Sequence, residues 1–396
     1  MTKVYKLYNQ IKHYEWGSSV ILPEFLGLVN EKALPFAELW MGTHSGSPSQ
    51  VEQNGKLINL AEVSGELPFL FKLLAVENPL SIQVHPEKEQ AVSGFKLEEE
   101  KGIPLSAPNR TYKDANEKSE IICALLPFKL MAGFRDFSLI IEAFNELSSA
   151  ADQIKDFISS LTTLLKNNLL LDFLKKLFSI SKDEMEYLCK IILSAEIDKT
   201  LFAQTGFAVS REQWELMKQF AKLYPNDIAV LSPLYLNVLT LQPGQAVFIP
   251  AGILHAYISG FAVELMNNSD NVLRGGLTSK YVNISELLKI LKFKTFIPQI
   301  INPDTKNIFC YDTPCDFNLT VIKNEKSLDN KQFNDSVCTN RVCTNKVCKN
   351  RVCIVTEGEV SADGFIFKKG ESFYVPKETE NLPLAGNFSL YTASSA

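Results

Sequence analysis

The chain has 396 residues, 46% hydrophobic and 21% charged, with 40 Lys and Arg against 45 Asp and Glu and a formal net charge of −5. That length supplies a large core spread over two or three domains, and the apolar content excludes a disordered chain. The balanced charge excludes the basic field of a general nucleic-acid or anionic-membrane binder.

In chain order, the first third reads as β. Leu67–Val76 is a dense apolar run and Leu80–Val84 alternates, both between turn residues, as strands do. Residues 137–228 differ: apolar residues recur at three and four, and proline is absent until Pro225. Ser181-x-x-Glu184 and Ser210-x-x-Gln213 are capping-box candidates, and Trp214, Met217, Phe220 and Ala221 share one helical face. From Leu231 the β character returns. Val238–Leu241, a Pro-Gly turn and Ala246–Ile249 read as paired strands, residues 284–291 as a short helix, and the chain from about 300 onward as strands and turns. The pattern predicts a mainly β protein of sandwich or jelly-roll type with an α-helical insertion. No secretory signal or apolar run long enough to span a membrane is found, so the expected location is cytoplasmic, with reduced cysteines and no membrane partner.

Cysteines 338, 343, 348 and 353 belong to a tandem Val-Cys repeat of period five. Such a period alternates faces on a strand and steps about 140° on a helix, so it gathers no four sulfurs on one side and reads as a local duplication. Cys310 and Cys315 share this spacing, while Cys123 and Cys189 sit in apolar surroundings and are expected in the core. Phosphate-loop, dinucleotide, nucleophile-elbow and H-E-x-x-H motifs are absent.

Only four histidines are present, His13, His44, His85 and His255. Gln83 and His85 stand two apart in Ser81-Ile-Gln-Val-His85, so on a strand an amide oxygen and an imidazole face the same way and could grip one ion. Downstream, Gly244-x5-Pro250-x-Gly252-x2-His255 would turn His255 inward at the start of a strand. This string resembles the second motif of the cupin superfamily, whose small β-barrels enclose a metal. Glu120, at the entrance of the apolar strand that follows Tyr112–Ser119, is the natural anionic complement. With Tyr112-Lys-Asp114, His255-Ala-Tyr257, Ser269–Lys280, Tyr14–Ser18 and Ala37–His44, the sequence over most of residues 1–292 resembles the type I mannose-6-phosphate isomerase family.

The resemblance implies cupin-type jelly-roll barrels, a catalytic barrel and a C-terminal β domain. The expected domains are 1–136 with 229–292 (catalytic), 137–228 (helical insertion) and 293–396 (C-terminal, β-rich). It implies one Zn²⁺ per chain held by Gln83, His85, Glu120 and His255; two imidazoles and oxygen donors suit zinc, and a single anionic ligand leaves the ion electrophilic. The activity implied is interconversion of mannose 6-phosphate and fructose 6-phosphate by proton transfer through an enediol(ate), with Arg274 stabilising the intermediate. Ser81, Lys72 and Lys280 would contact the phosphate; Lys72 is an independent hint, because a lysine inside an apolar run needs an anionic partner or a route to water. Glu264, Asp270, Lys118, Lys113 and Tyr257 are candidates for acid–base and hydroxyl contacts, and Trp16 for packing on the sugar ring or in the core. One departure stands out: Asn116-Glu117-Lys118-Ser119-Glu120 replaces the family's Asn-His-Lys-Pro-Glu, losing a histidine and adding a carboxylate. The alternative is a non-catalytic cupin that binds a sugar phosphate as sensor or scaffold. In either reading the partner is a small sugar phosphate and not a nucleic acid, and a monomer is expected.

Overall fold

The computed structural model describes residues 4–194, 209–324, 331–333, 349–379 and 382–395. Its centre is two β layers that share one long strand. The first layer runs Ile300–Ile301, Ala246–Ile249, Glu120–Ala124, His255–Asn267, Phe69–Val76, Glu38–Gly42 and Gln10–Lys12. The second holds Leu236–Leu241, Phe128–Phe134, Ile82–Val84 and Leu273–Gly276. His255–Asn267 crosses between them: His255, Ala256 and Tyr257 pair with Ala132, Met131 and Leu130, whereas residues 260–267 pair with Phe69–Val76. The bend falls at Gly260, whose φ is +125° and where a Cβ would lie 2.4 Å from the Pro127 carbonyl oxygen. Only glycine accepts that conformation and that approach, so this residue makes the corner of the jelly roll.

Alternation along the strands assigns each face. Phe69, Phe71, Leu73 and Ala75, with Phe261, Val263 and Leu265, point outward into a core shared with Leu319, Val352, Ile354 and Tyr391. These last four belong to an eight-stranded sheet ordered Tyr5–Lys6, Ser372–Val375, Arg351–Ala362, Leu382–Ser395, Phe317–Asn324 and Ile308–Tyr311, with Lys331–Phe333 and Phe365–Lys368 attached. Tyr5 pairs with Tyr374, so the first strand of the described chain completes this C-terminal sheet. Leu74, Val76, Ala262 and Tyr257 point the other way, into the barrel. Both faces of Phe69–Val76 are therefore covered, which is why its sequence reads as one apolar run rather than an alternation.

The second layer presents Ile82, Val84, Met131, Ala256 and Ile258 to the helices, Phe137–Ala150, Lys155–Lys166, Leu170–Leu177, Lys182–Ser194 and Arg211–Leu223, in one continuous core. Both capping boxes form: Ser210 Oγ accepts from Gln213 N at 3.2 Å while Gln213 Oε1 accepts from Ser210 N at 2.8 Å, and Ser181 and Glu184 repeat the exchange. The short helix Ile284–Ile290 is also present.

One expectation is corrected. Leu236–Leu241 and Ala246–Ile249 are not partners; the former pairs with Phe128–Phe134 and the latter with Glu120–Ala124 and Ile300–Ile301. Gly244, at φ +85°, carries the chain from one layer to the other, and local turn chemistry alone does not distinguish that crossing from a hairpin. Cys123 and Cys189 are buried, as is Cys353 of the Val-Cys repeat, whose Sγ lies 3.3 Å from Thr392 Oγ1. Cys338, Cys343 and Cys348 lie outside the described residues. Among the described residues no helix is long and apolar enough to cross a membrane.

Candidate metal centre and cleft

The site is built by strand register. Gln83 pairs with His255 across the second layer and with Arg274 on its other side, and Glu120 pairs with Met266 and Ile249 in the first layer. Where the two layers converge inside the barrel, His85, Glu120 and His255 offer ligand atoms within 4.8 Å of one another, all three buried. His255 Nε2 lies 2.8 Å from Glu120 Oε1, and His85 Nε2 lies 3.5 Å from Glu120 Oε2. The Gln83 amide is 3.4 Å from His255 Nε2.

The other ring nitrogens decide what this cluster can hold. His85 Nδ1 donates to the Asn271 carbonyl at 2.6 Å and His255 Nδ1 to the Ile253 carbonyl at 2.9 Å. With the protons there, both Nε2 lone pairs are aimed at the Glu120 carboxylate, as in histidines oriented for metal binding. His85 Nε2 and Glu120 Oε2 are buried with no hydrogen-bond partner. Acceptors facing one another in a dry pocket are stable only with a cation between them, so these residues fit a zinc ion. Burial, with the nearby Lys118 ammonium, pushes His85 down to about 3, which keeps its imidazole a neutral ligand. Burial alone would raise the Glu120 carboxyl, but the two histidines outweigh it and hold it well below its ordinary range. Tyr257 OH donates to Glu120 Oε1 at 2.7 Å, fixing that carboxylate from behind. Glu117, the carboxylate added by this sequence, is not part of the cluster.

The cluster lies directly behind Gln83, Lys118 and Tyr257, which line a cleft of about 860 Å³. Trp16, Lys72, Ser81, Gln83, Lys118, Tyr257, Glu264, Asp270, Arg274 and Lys280 all line it, whereas Lys113 does not. Lys113 Nζ instead donates to the Leu105 carbonyl at 2.5 Å. The buried Lys72 does have anionic partners, but they are protein carboxylates: Glu264 Oε2 at 3.1 Å and Glu38 Oε1 at 3.9 Å. Against the lowering effect of burial, these two carboxylates hold the Lys72 ammonium above its ordinary pKa. Glu264 is raised by burial. Lys118 is lowered, chiefly by burial, and its Nζ stands 3.8 Å from Glu120 Oε2. Arg274 is lowered by burial and has no carboxylate partner among the described residues. Trp16 stacks on Tyr14 with centroids 5.8 Å apart and packs on the barrel core, so it serves both the cleft wall and the interior. His44 Nε2 reaches Asp270 Oδ1 at 3.2 Å, while His13 Nδ1 bonds to the Pro35 carbonyl at the rim.

Several contributors carried no role in the sequence. Glu38 receives Trp40 Nε1–H and pairs with Lys72. Asp114 accepts from Ser269 Oγ at 2.9 Å and from the Asp270 backbone N–H at 2.8 Å, and Asn271 Nδ2 donates back to the Asp114 carbonyl at 2.9 Å. This stitch fixes the Asn271 carbonyl that orients His85. The segments it joins are some 155 residues apart, and a motif scan sees polar residues there without the partner that explains them.

A family model for the catalytic domain of phosphomannose isomerase type I matches residues 4–137. The chain is 39% identical over 306 residues to the mannose-6-phosphate isomerase of Escherichia coli (strain K12), covering 73% of this chain and 75% of that one. It is 32% identical over 366 residues to the Homo sapiens mannose-6-phosphate isomerase, covering 82% of each. Among solved structures, a zinc-bound mannose 6-phosphate isomerase superimposes with a TM-score of 0.83 at 31% identity over 99% of both chains. The enzyme from Salmonella typhimurium bound to fructose 6-phosphate and zinc gives the same values.

Proposed function

This chain belongs to the type I phosphomannose isomerase family, and from that premise we propose that it is a zinc-dependent aldose–ketose isomerase interconverting mannose 6-phosphate and fructose 6-phosphate. The observation that carries the reading is the set of opposed lone pairs on His85, His255 and Glu120 next to a cleft lined by Lys72, Lys118, Arg274 and Lys280. The catalytic unit is assigned to residues 1–136 with 229–292, flanked by the helical block 137–228 and the C-terminal region 293–396.

Gln83, His85, Glu120 and His255 would hold the ion, and a bound zinc would supply Lewis-acid polarisation of the sugar oxygens. Arg274, always charged and without a carboxylate partner among the described residues, stabilises the negative charge that develops as a proton moves between C1 and C2. Ser81 and Lys280 meet the phosphate, while Lys72, already compensated by Glu264 and Glu38, keeps the deep carboxylates paired. Lys118, with its lowered pKa, is suited to accept and return the proton beside the metal, and Glu264 and Asp270 complete the acid–base set.

A coupled assay with mannose 6-phosphate, before and after chelation and zinc repletion, tests the reading. Turnover that disappears with the metal and returns with zinc is expected, together with solvent exchange of the C2 proton. Binding of the sugar phosphate by zinc-replete protein with neither turnover nor exchange would instead establish the non-catalytic alternative.

A further inference from the structure

The turn after Arg274 is held from below by the helical block. Leu277 N–H donates to Asp227 Oδ2 at 2.7 Å, Thr278 N–H reaches the same carboxylate, and Oδ1 takes Ala229 N–H at 2.9 Å. The turn is wrapped tightly on this side chain. Gly276 lies at φ +135° and Leu277 at φ +52°, and a Cβ on Gly276 would fall 2.6 Å from Asp227 Oδ1 and 2.4 Å from Ala229 Cβ. A leucine in the left-handed region relaxes to another conformation unless its surroundings hold it there. Asp227 supplies that hold as a charged acceptor for consecutive N–H groups.

Asp227 comes shortly after the helix Arg211–Leu223, and the same stretch presents Leu223 and Tyr224 to the cleft. Tyr224 accepts from Asp227 N at 3.1 Å through its carbonyl, and its hydroxyl donates to the Pro79 carbonyl at 3.4 Å, two residues before Ser81. The loop needs such an anchor because it crowds two cations: burial and the neighbouring Arg274 both lower the Lys280 ammonium. Two like charges on an unanchored loop move apart and lose their joint aim.

We propose that Asp227 is a positioning residue for substrate affinity: by holding the Gly276–Thr278 turn, it sets Lys280 to receive the phosphate end of the substrate. This rests on the reading of Lys280 as a phosphate contact, and it gives the end of the helical block a part in binding.

The test uses the zinc-loaded full chain and Asp227→Asn. An amide can accept at only one end, so its NH₂ opposes a backbone N–H and one of the anchoring bonds is lost. The expected result is a rise in KM for mannose 6-phosphate of about ten-fold or more, with kcat within about three-fold and zinc content unchanged. Titration with inorganic phosphate should show affinity weakened by a similar factor. An unchanged KM, or a fall in kcat alone, overturns the proposal. Gly276→Ala attacks the same contact from the loop side and should reproduce the KM effect; if Asp227→Asn does not fold, this variant decides. If the wild-type protein has no isomerase activity, the proposed function fails, and phosphate affinity in wild type and variants still decides the role of Asp227.

Discussion

At the floor of the cleft, the donor side chains stand on or beside paired strands, and their meeting follows from register. Gln83 faces His255 because two strands pair there, and Glu120 comes to them because the barrel closes. At the mouth, Arg274, Lys280 and Asp270 stand at or near turns whose shape is imposed by residues elsewhere: Asp227 under one turn and Asp114 under the other. The floor is dry, with Glu120 and His255 wholly inaccessible, whereas Lys280 is exposed. A metal centre needs fixed geometry and low dielectric, which strand interiors supply; a phosphate site needs an entrance, which only loops provide. The two ends should therefore fail differently.

The largest effect should come from the floor. His255→Ala should lose zinc and activity together, by about 10³-fold in turnover, because it removes a ligand and leaves the Glu120 carboxylate buried without its partner. Metal analysis beside the coupled assay reads both losses, and zinc retained at one per chain would break the comparison. Next, Arg274→Ala should cost about 10²- to 10³-fold in kcat/KM while zinc stays bound, the scale for removing one group that stabilises developing charge. Loss of metal in this variant would show the two ends to be one unit.

Asp114→Ala sharpens the boundary between them. It leaves every ligand in place but removes the carboxylate that accepts from Ser269 Oγ, the Asp270 N–H and Asn271 Nδ2, and so loosens the Asn271 carbonyl that orients His85 Nδ1. Zinc affinity should fall about 10- to 100-fold, the range for a group that orients a metal-bound histidine, and competition with a chromogenic chelator measures it. An unchanged affinity would mean that strand geometry alone holds His85. The smallest effect belongs to Lys113→Ala, whose ammonium sits on the Leu105 carbonyl outside the cleft lining; kcat and KM should stay within about two-fold of wild type.

Strain marks the same division. Leu277 in the left-handed region costs about 1–2 kcal/mol, and the loop bears it because Asp227 and the cleft geometry depend on that turn. On the described barrel strands, such demands fall on glycines, Gly42, Gly133, Gly260 and Gly276, where they are met without strain.

The metal centre was legible because each part has a local cause. Two residues apart on a strand means one face, as for Gln83 and His85, and Gly244-x5-Pro250-x-Gly252 ends one strand and turns the next, which aims His255 inward. The capping boxes at Ser181 and Ser210 were legible for the same reason, since every partner lies within one helical turn. The lysine inside the apolar run signalled its need for an anion, but not that Glu264, on a neighbouring strand, would meet it. Nor did it show that Leu236–Leu241 and Ala246–Ile249 part company at Gly244, or that the Lys113 ammonium donates to the Leu105 carbonyl.

By itself, then, the sequence determined the alternation of strand faces, the helical block, and the donors suited to zinc, because these depend on residues a few positions apart. The tertiary structure decided which lone pairs confront one another, which lysine is already neutralised, and which loop is anchored by Asp227. Those outcomes depend on electrostatics and sterics between residues tens to nearly two hundred positions apart, brought together only when the barrel closes and the helices pack against it.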